Sequence, residues 1–266
     1  MKNRKIYTIL RWLFLMVYIV VTLSFSHKEA QKVICNKINV SVDDSLVNSF
    51  ITKRDIIRVI EKKGKTPIGM NICDVNTLEL EEKLSSFNTV KSVEAYKSAT
   101  GQLSISVTQR KPIVRIINQN NQSYYFDEEG KIFPWSYNYT SHVLVINGHI
   151  KEPFKITNNL NVSSWKPNEQ DSIQPFIYKL FEFAQFITQD KFWNAQIAQV
   201  YVDRENDIEL IPRIGGHIIL LGGLDNYEKK LKKLNLFYKK ALPSEGWNKY
   251  KTINLKYKNQ VVCTKR

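Results

Sequence analysis

The side chains that could carry out chemistry in this sequence are a run of three carboxylates, four histidines and three cysteines. Asp127, Glu128 and Glu129 have the residue types of a paired acid and base. Gly130 follows them, and acidic residues before a glycine are typical of a turn. A solvated turn lacks the apolar pocket that a catalytic carboxylate needs, so we interpret all three as turn residues.

The histidines and cysteines do not form a recognisable catalytic or metal-binding pattern. Only His217, directly after two glycines, lies in a suggestive place, and we interpret it as a histidine at the edge of a strand. The sequence contains neither a His-Glu-x-x-His nor a Gly-x-Ser-x-Gly motif. We therefore predict no catalytic residue, no metal and no cofactor, which argues against an exported enzyme such as a cell-wall hydrolase. The other residues of these two types are His27, His142, His149, Cys35, Cys73 and Cys263.

The net charge of +14 predicts a basic protein surface. The lysines are spread along the chain, without the glycine-rich or RNP-like elements of a nucleic-acid-binding domain, so we predict no nucleic-acid partner. Acidic surfaces of the cell envelope and anionic lipid headgroups are the partners that such a charge favours.

The apolar stretch 6–25 predicts a membrane anchor. About 20 residues in a helix span about 30 Å, the thickness of the hydrocarbon core of a bilayer. Four basic residues and no acidic one lie at its N-terminal side, the last of them Arg11, so the positive-inside rule makes residues 1–11 a short cytoplasmic tail. The alternative is a cleaved signal peptide with 12–25 as its apolar region. In both cases the chain from His27 onward lies outside the cytoplasm.

The next part of the chain predicts a small α+β unit of three strands and two helices. Residues 37–42 alternate apolar and polar side chains as a strand does, and Thr52 can cap a helix. A second short helix is predicted over 76–86, followed by strands over 90–97 and 103–109. The predicted order is therefore β-α-α-β-β, which about 75 residues can fold around a core of their own.

The rest of the chain predicts a mixed β-sheet domain with two packing helices. Gly130 suits the turn of a β-hairpin, and apolar residues recur at helical spacing over 175–189 and 225–242. The second of these helices has a basic face, which we interpret either as solvated or as a surface beside a partner site. Strands are predicted over 197–202, 208–211 and 217–221, and a terminal hairpin over 250–257 and 260–264.

Four segments in order resemble the FtsQ/DivIB family of bacterial cell-division proteins. They are Val90-Lys-Ser-Val93, the strand and basic-proline segment 101–112, the hairpin 124–134, and Val143-Leu-Val-Ile-Asn-Gly148. The resemblance implies a POTRA domain over 33–110 and an FtsQ-type β domain with a C-terminal edge hairpin over 111–266.

The resemblance also implies a function. Members of this family are non-enzymatic bitopic scaffolds of the divisome, linked to the control of septal peptidoglycan synthesis. We therefore expect a single-pass protein of the inner membrane at the division septum, with a cytoplasmic N-terminus and a periplasmic or other extracytoplasmic body. An FtsB-type protein, itself paired with FtsL, is expected to add a strand to the terminal hairpin, and other divisome proteins could contact the POTRA domain.

The residues to which the resemblance assigns roles fall into three groups. The edge hairpin is expected to bind the partner, a basic helix face to lie beside it, and a short basic-proline segment to join the two domains. The hairpin group is Ile253, Leu255, Lys256, Tyr257, Val261, Val262 and Cys263; the helix group is Lys229, Lys230 and Lys233; the joint is Arg110, Lys111 and Pro112.

The alternative function is a POTRA-containing component of envelope protein export or outer-membrane assembly. Such proteins usually repeat the POTRA unit or end in a series of barrel strands of about ten residues. This sequence predicts one POTRA-like unit and no such series, so this alternative rests on the fold alone.

Overall fold

A computed structural model of the chain describes residues 11–22, 33–43, 49–61, 66–136, 139–152, 161–164 and 174–266. Residues 11–22 form helix α1. Within the described ranges, no helix combines the length and the apolar character needed to cross a membrane. The predicted anchor over 6–25 extends beyond both ends of α1 into residues that lie outside the described ranges.

The chain divides into two compact units, Met1–Gln109 and Arg110–Arg266. The first unit contains a three-stranded sheet in the order β1-β3-β2, in which β1 is parallel and β2 antiparallel to β3. The predicted order of strand, helix, helix, strand and strand is confirmed. Its elements are β1 (Lys37–Asp43), α2 (Lys53–Ile60), α3 (Thr77–Ser85), β2 (Val90–Lys97) and β3 (Gln102–Gln109).

Local hydrogen bonds begin helix α2 at the predicted residue. The Thr52 hydroxyl accepts a hydrogen bond from the Asp55 N–H at 3.3 Å, and the Asp55 carboxylate accepts one from the Thr52 N–H at 3.0 Å. This reciprocal capping box satisfies two backbone donors that the helix leaves unpaired. The helix then buries Ile56 and Ile60 against Leu103 and Ile105 of the central strand.

The second unit is built on a nine-stranded mixed sheet in the order β12-β11-β10-β9-β8-β7-β4-β5-β6. Three of its strand pairs are parallel, namely β4 with β7, β7 with β8, and β10 with β11. The strands are β4 (Pro112–Ile117), β5 (Ser123–Asp127), β6 (Ile132–Pro134), β7 (Leu144–Gly148), β8 (Ile197–Val202), β9 (Ile208–Pro212), β10 (Ile218–Gly222), β11 (Tyr250–Asn254) and β12 (Val262–Lys265).

The described part of this unit has four α-helices where the sequence predicted two. The predicted pair corresponds to α4 (Phe176–Gln189) and α6 (Tyr227–Lys240). The additional helices are short, α5 (Lys191–Gln196) and α7 (Leu242–Glu245). Asp190 begins α5, because its carboxylate accepts hydrogen bonds from two N–H groups of the first turn at 2.8 and 3.0 Å.

A row of apolar side chains, one per strand, fixes the register across six strands of this sheet. Each side chain lies opposite the next in the pairing, and each is fully buried. The same cluster contains Leu180 and Phe183 of α4 and Leu231 and Leu234 of α6. A shift of the pairing by one residue would turn the buried side chains of a strand to the other face of the sheet, so their burial specifies the pairing. The row is Ile116, Ile146, Val200, Leu210, Ile219 and Ile253.

A buried ion pair holds the beginning of the second unit. The Arg110 guanidinium lies 2.7 Å from the Asp127 carboxylate, and the two side chains are 7% and 2% exposed. The other Asp127 oxygen accepts hydrogen bonds from the N–H groups of Glu129 and Lys131. The hydrogen bonds confirm the interpretation of Asp127 as a turn residue, but the expectation that it is solvated was wrong, because it is buried and its second oxygen pairs with a cation 17 residues earlier. Glu128 and Glu129 are exposed, as expected for a turn.

The predicted joint therefore begins inside the second unit. Arg110 is buried there, Lys111 is exposed, and Pro112 is buried as the first residue of β4. That these three residues act as an interdomain joint stays a prediction.

Asp127→Asn should destabilise the second unit by about 3–5 kcal/mol, because it leaves a buried guanidinium without its closest counter-charge. The asparagine retains an oxygen for the turn hydrogen bonds, so the change isolates the ion pair. Urea unfolding followed by tryptophan fluorescence measures the effect.

Glu129→Gln is the matched control, because this half-exposed carboxylate lies 3.8 Å from the same guanidinium. It should change the free energy of unfolding by less than about 1 kcal/mol. Equal effects of the two substitutions would contradict a dominant role for the buried pair.

Candidate functional site

The terminal hairpin forms one edge of the nine-stranded sheet, and its orientation follows from the pairing of β11 with β10. The Leu255 N–H donates to the Leu220 carbonyl at 2.9 Å. Backbone groups in a strand alternate sides from residue to residue, so Ile253 directs its N–H and C=O toward β10 as well. Thr252 and Asn254 therefore direct their backbone groups toward β12.

Strand β12 consequently presents the backbone of Cys263 to the free edge. Thr252 and Asn254 lie opposite Thr264 and Val262, which makes these the hydrogen-bonded pairs of the β11–β12 ladder. Cys263 lies opposite Ile253, so its N–H and C=O point away from the sheet. An edge strand of this kind can pair with a further strand.

The side chains of β12 divide between the two faces of the sheet. Cys263 is half-buried on the face that packs against the helices, and burial raises the pKa of its thiol. Val262 is 41% exposed on the opposite face. A strand added beside β12 would therefore meet an apolar side chain on each face.

The structure separates the predicted hairpin residues into buried and accessible ones. Ile253 and Leu255 are fully buried in the core, so they stabilise the hairpin and are not accessible to a partner. Strand β11 ends at Asn254, earlier than predicted, and Tyr257 lies in the connection to β12 with 51% exposure.

The other predicted residues of the connection are anchored to the unit. The Lys256 ammonium pairs with the Asp207 carboxylate of the β8–β9 turn, which raises the pKa of Lys256. Its Cγ lies 2.9 Å from the position that a Cβ on Gly222 would take, which is too close for a side chain there, and Gly222 has a backbone φ of +75°. Val261 is half-buried and packs against the core.

Two lysines of the predicted basic helix face donate to backbone carbonyls. Lys230 Nζ donates to the Gly223 carbonyl at 2.7 Å. Lys233 Nζ donates to the carbonyls of Leu255, Tyr257 and Gln260. Burial lowers the pKa of both ammonium groups. With Lys229 they line a cleft of about 510 Å³ between α6 and the β11–β12 connection.

Family models match both units of the chain. The model described as FtsQ/DivIB, C-terminal related, matches residues 111–264, and the model of a POTRA-like domain matches residues 33–108. The chain belongs to the FtsQ/DivIB family. This confirms the resemblance found in the sequence. None of the curated proteins matches the chain.

Membership of the FtsQ/DivIB family indicates the general role of this protein. The two matched domains are those of a cell-division scaffold, and both belong to non-catalytic families. The family also implies interactions with other divisome proteins and localisation to the division site. Within the described ranges, no group of three or more histidine, cysteine or acidic side chains could hold a metal ion.

The end of the terminal strand is held by a contact that the sequence analysis missed. The Arg266 guanidinium donates to the Gly216 carbonyl at 2.5 Å, and the Arg266 N–H donates to the Lys249 carbonyl at 3.2 Å. A Cβ on Gly216 would lie 1.9 Å from the Arg266 guanidinium. In the sequence, the glycine pair before His217 could have indicated this contact, because glycine often marks a place where another group approaches the backbone closely.

His217 is buried beside this contact, in agreement with its interpretation as a strand-edge residue. It precedes β10, and its Nε2 lies 2.8 Å from the Tyr238 hydroxyl of α6. Burial lowers the pKa of the imidazole, and the Arg266 cation adds to this effect.

His217 should make this FtsQ/DivIB-family protein less stable at mildly acidic pH. Below the unfolded pKa of about 6.5 the unfolded chain binds a proton at this histidine, while the folded chain, with its lowered pKa, does not. The free energy of unfolding should therefore fall as the pH drops through this value, as urea unfolding between pH 8 and pH 5 would measure.

His217→Gln should remove this part of the pH dependence, because glutamine can still hydrogen-bond Tyr238 but does not titrate. His142→Gln, at an exposed histidine, should leave the pH dependence in place. The same pH profile for wild type and His217→Gln would show that the buried imidazole is not its source.

Proposed function

We propose that this protein is a bitopic scaffold of the bacterial divisome that accepts an extended segment of an FtsB/FtsL-type partner along the free edge of β12. The observation that carries the proposal is the outward-facing N–H and C=O of Cys263. A partner strand can pair with these groups while its side chains contact Val262 on one face and the region of Cys263 on the other. In this role the protein links its partners to other division proteins and to the control of septal peptidoglycan synthesis.

The opposite edge of the same sheet suits strand addition less well. Strand β6 has three residues and ends in Pro134, which has no N–H to donate. The residue before this strand, Lys131, already forms a bridge with Asn161. These features favour β12 as the docking edge.

Backbone pairing alone would give weak binding. A hydrogen bond contributes about 1 kcal/mol net in water, and β12 has four residues. Apolar contacts at the accessible side chains must supply much of the affinity. Val262 in β12 and Tyr257 in the connection before it are exposed apolar side chains that can provide them.

The proposed anchor places this scaffold in the inner membrane, with the two units outside the cytoplasm. Support comes from the apolar sequence over 6–25 and from α1, whose side chains are exposed on all sides. A helix that is apolar all round is suited to lipid surroundings. The POTRA-like unit is then available for contacts with other division proteins.

Cys263→Pro should strongly weaken partner docking while leaving the hairpin folded. Proline removes the N–H that faces the free edge, and it leaves the pairs of Thr264 and Val262 with β11 intact. The measurement is photo-crosslinking in living cells from a photoreactive residue at position 262, with the captured protein identified by mass spectrometry. We expect capture of a single-span division protein by the parent chain and about tenfold less by the proline variant.

Cys263→Ala is the matched control, because it retains the N–H and loses only the thiol. It should keep most of the capture. Equal capture by the alanine and proline variants, or no capture from position 262 in the parent chain, would contradict β12 as the docking edge.

A further inference from the structure

One side chain of α6 holds the connection between β11 and β12. Lys233 Nζ lies 3.4 Å from the Leu255 carbonyl oxygen and 2.8 Å from those of Tyr257 and Gln260. These carbonyls belong to residues 22 to 27 positions away in the sequence. The connection is therefore closed around an ammonium group that a neighbouring helix supplies.

The number of N–H donors on the Lys233 ammonium matches the number of carbonyl oxygens around it. A lysine ammonium has three N–H groups and no acceptor, and three carbonyl oxygens surround it here. Hydrogen bonds from a charged donor are stronger than those between neutral groups, and partial burial strengthens them further.

The two ends of the connection depend on different contacts. At its beginning, Leu255 is fully buried and its N–H is bonded to β10. At its end, Gln260 is exposed, and its carbonyl is held by Lys233. Strand β12 begins two residues later, so the position of its first residues follows from the Lys233 contact.

The lysine-lined cleft beside α6 could also be read as an anion site. Three of its five lysines already donate to other groups: Lys230 to the Gly223 carbonyl, Lys233 to the connection, and Lys256 to Asp207. An entering anion would have to compete with these contacts. The geometry therefore favours a role in fixing the backbone.

We propose that Lys233 is a positioning residue for the partner-binding edge: its ammonium binds three carbonyls of the β11–β12 connection and thereby holds β12 ready for strand addition. This inference rests on the proposed function for its consequence in binding. The contact of Lys233 with these three carbonyls, which we call the clamp, is a property of the folded chain and does not depend on a partner.

Lys233→Met tests the proposal, because methionine keeps an unbranched apolar stem and removes the ammonium. Amide hydrogen exchange of the full-length chain should become about tenfold faster over residues 256–265 in this variant, while the buried strands β8 and β9 keep their protection. Photo-crosslinking from position 262 in living cells should fall in parallel.

Lys232→Met is the matched control, since Lys232 is exposed on the same helix and its loss changes the net charge equally. It should alter neither exchange nor capture. Lys233→Arg should recover part of the protection, because it restores donors and charge without the compact geometry of an ammonium.

The outcomes separate the clamp from the proposed function. Unchanged exchange in Lys233→Met would overturn the clamp. Faster exchange with undiminished capture would overturn its role in positioning β12. Absence of capture from the parent chain would overturn the proposed docking and with it the positioning role, while the exchange comparison would still decide the clamp.

Discussion

The parallel pairing of β10 with β11 is the constraint on which the accessible edge of this protein depends. It places Ile253 opposite Ile219 in a fully buried row, and the alternation of backbone groups then directs Thr252 and Asn254 toward β12. Because side chains and backbone groups both alternate along a strand, burial of Ile253 and exposure of the Cys263 backbone are consequences of one register. The hydrophobic core of the second unit thus determines which peptide group can receive another chain.

Basic residues in this protein do more than give it a net charge. Arg110 neutralises a buried carboxylate at the start of the second unit, and Arg266 binds the Gly216 carbonyl at the end of the last strand. On α6, Lys230 and Lys233 bind carbonyls of the segments before and after the helix. The contacts of Arg266, Lys230 and Lys233 hold backbone carbonyls that lie outside the strands and helices.

The sequence predicted the elements whose signals are local. Periodicity and the Thr52 cap predicted the order of strands and helices in the first unit. The contacts of Asp127, Lys233 and Arg266 could not be predicted in this way, because their partners lie 17 to 50 residues away and the fold brings them together. The hairpin residues likewise divided into buried and accessible ones only when the register of β11 was known.

Amide hydrogen exchange at Cys263 tests the central claim of this account most directly. It would be measured for the full-length chain alone and in complex with an FtsB/FtsL-type partner. The account predicts rapid exchange at Cys263 in the free protein, because its N–H faces the open edge, and marked protection in the complex, with little change in β9 and β10. Protection of Cys263 in the free protein, or exchange that the partner does not slow, would contradict docking by strand addition at β12.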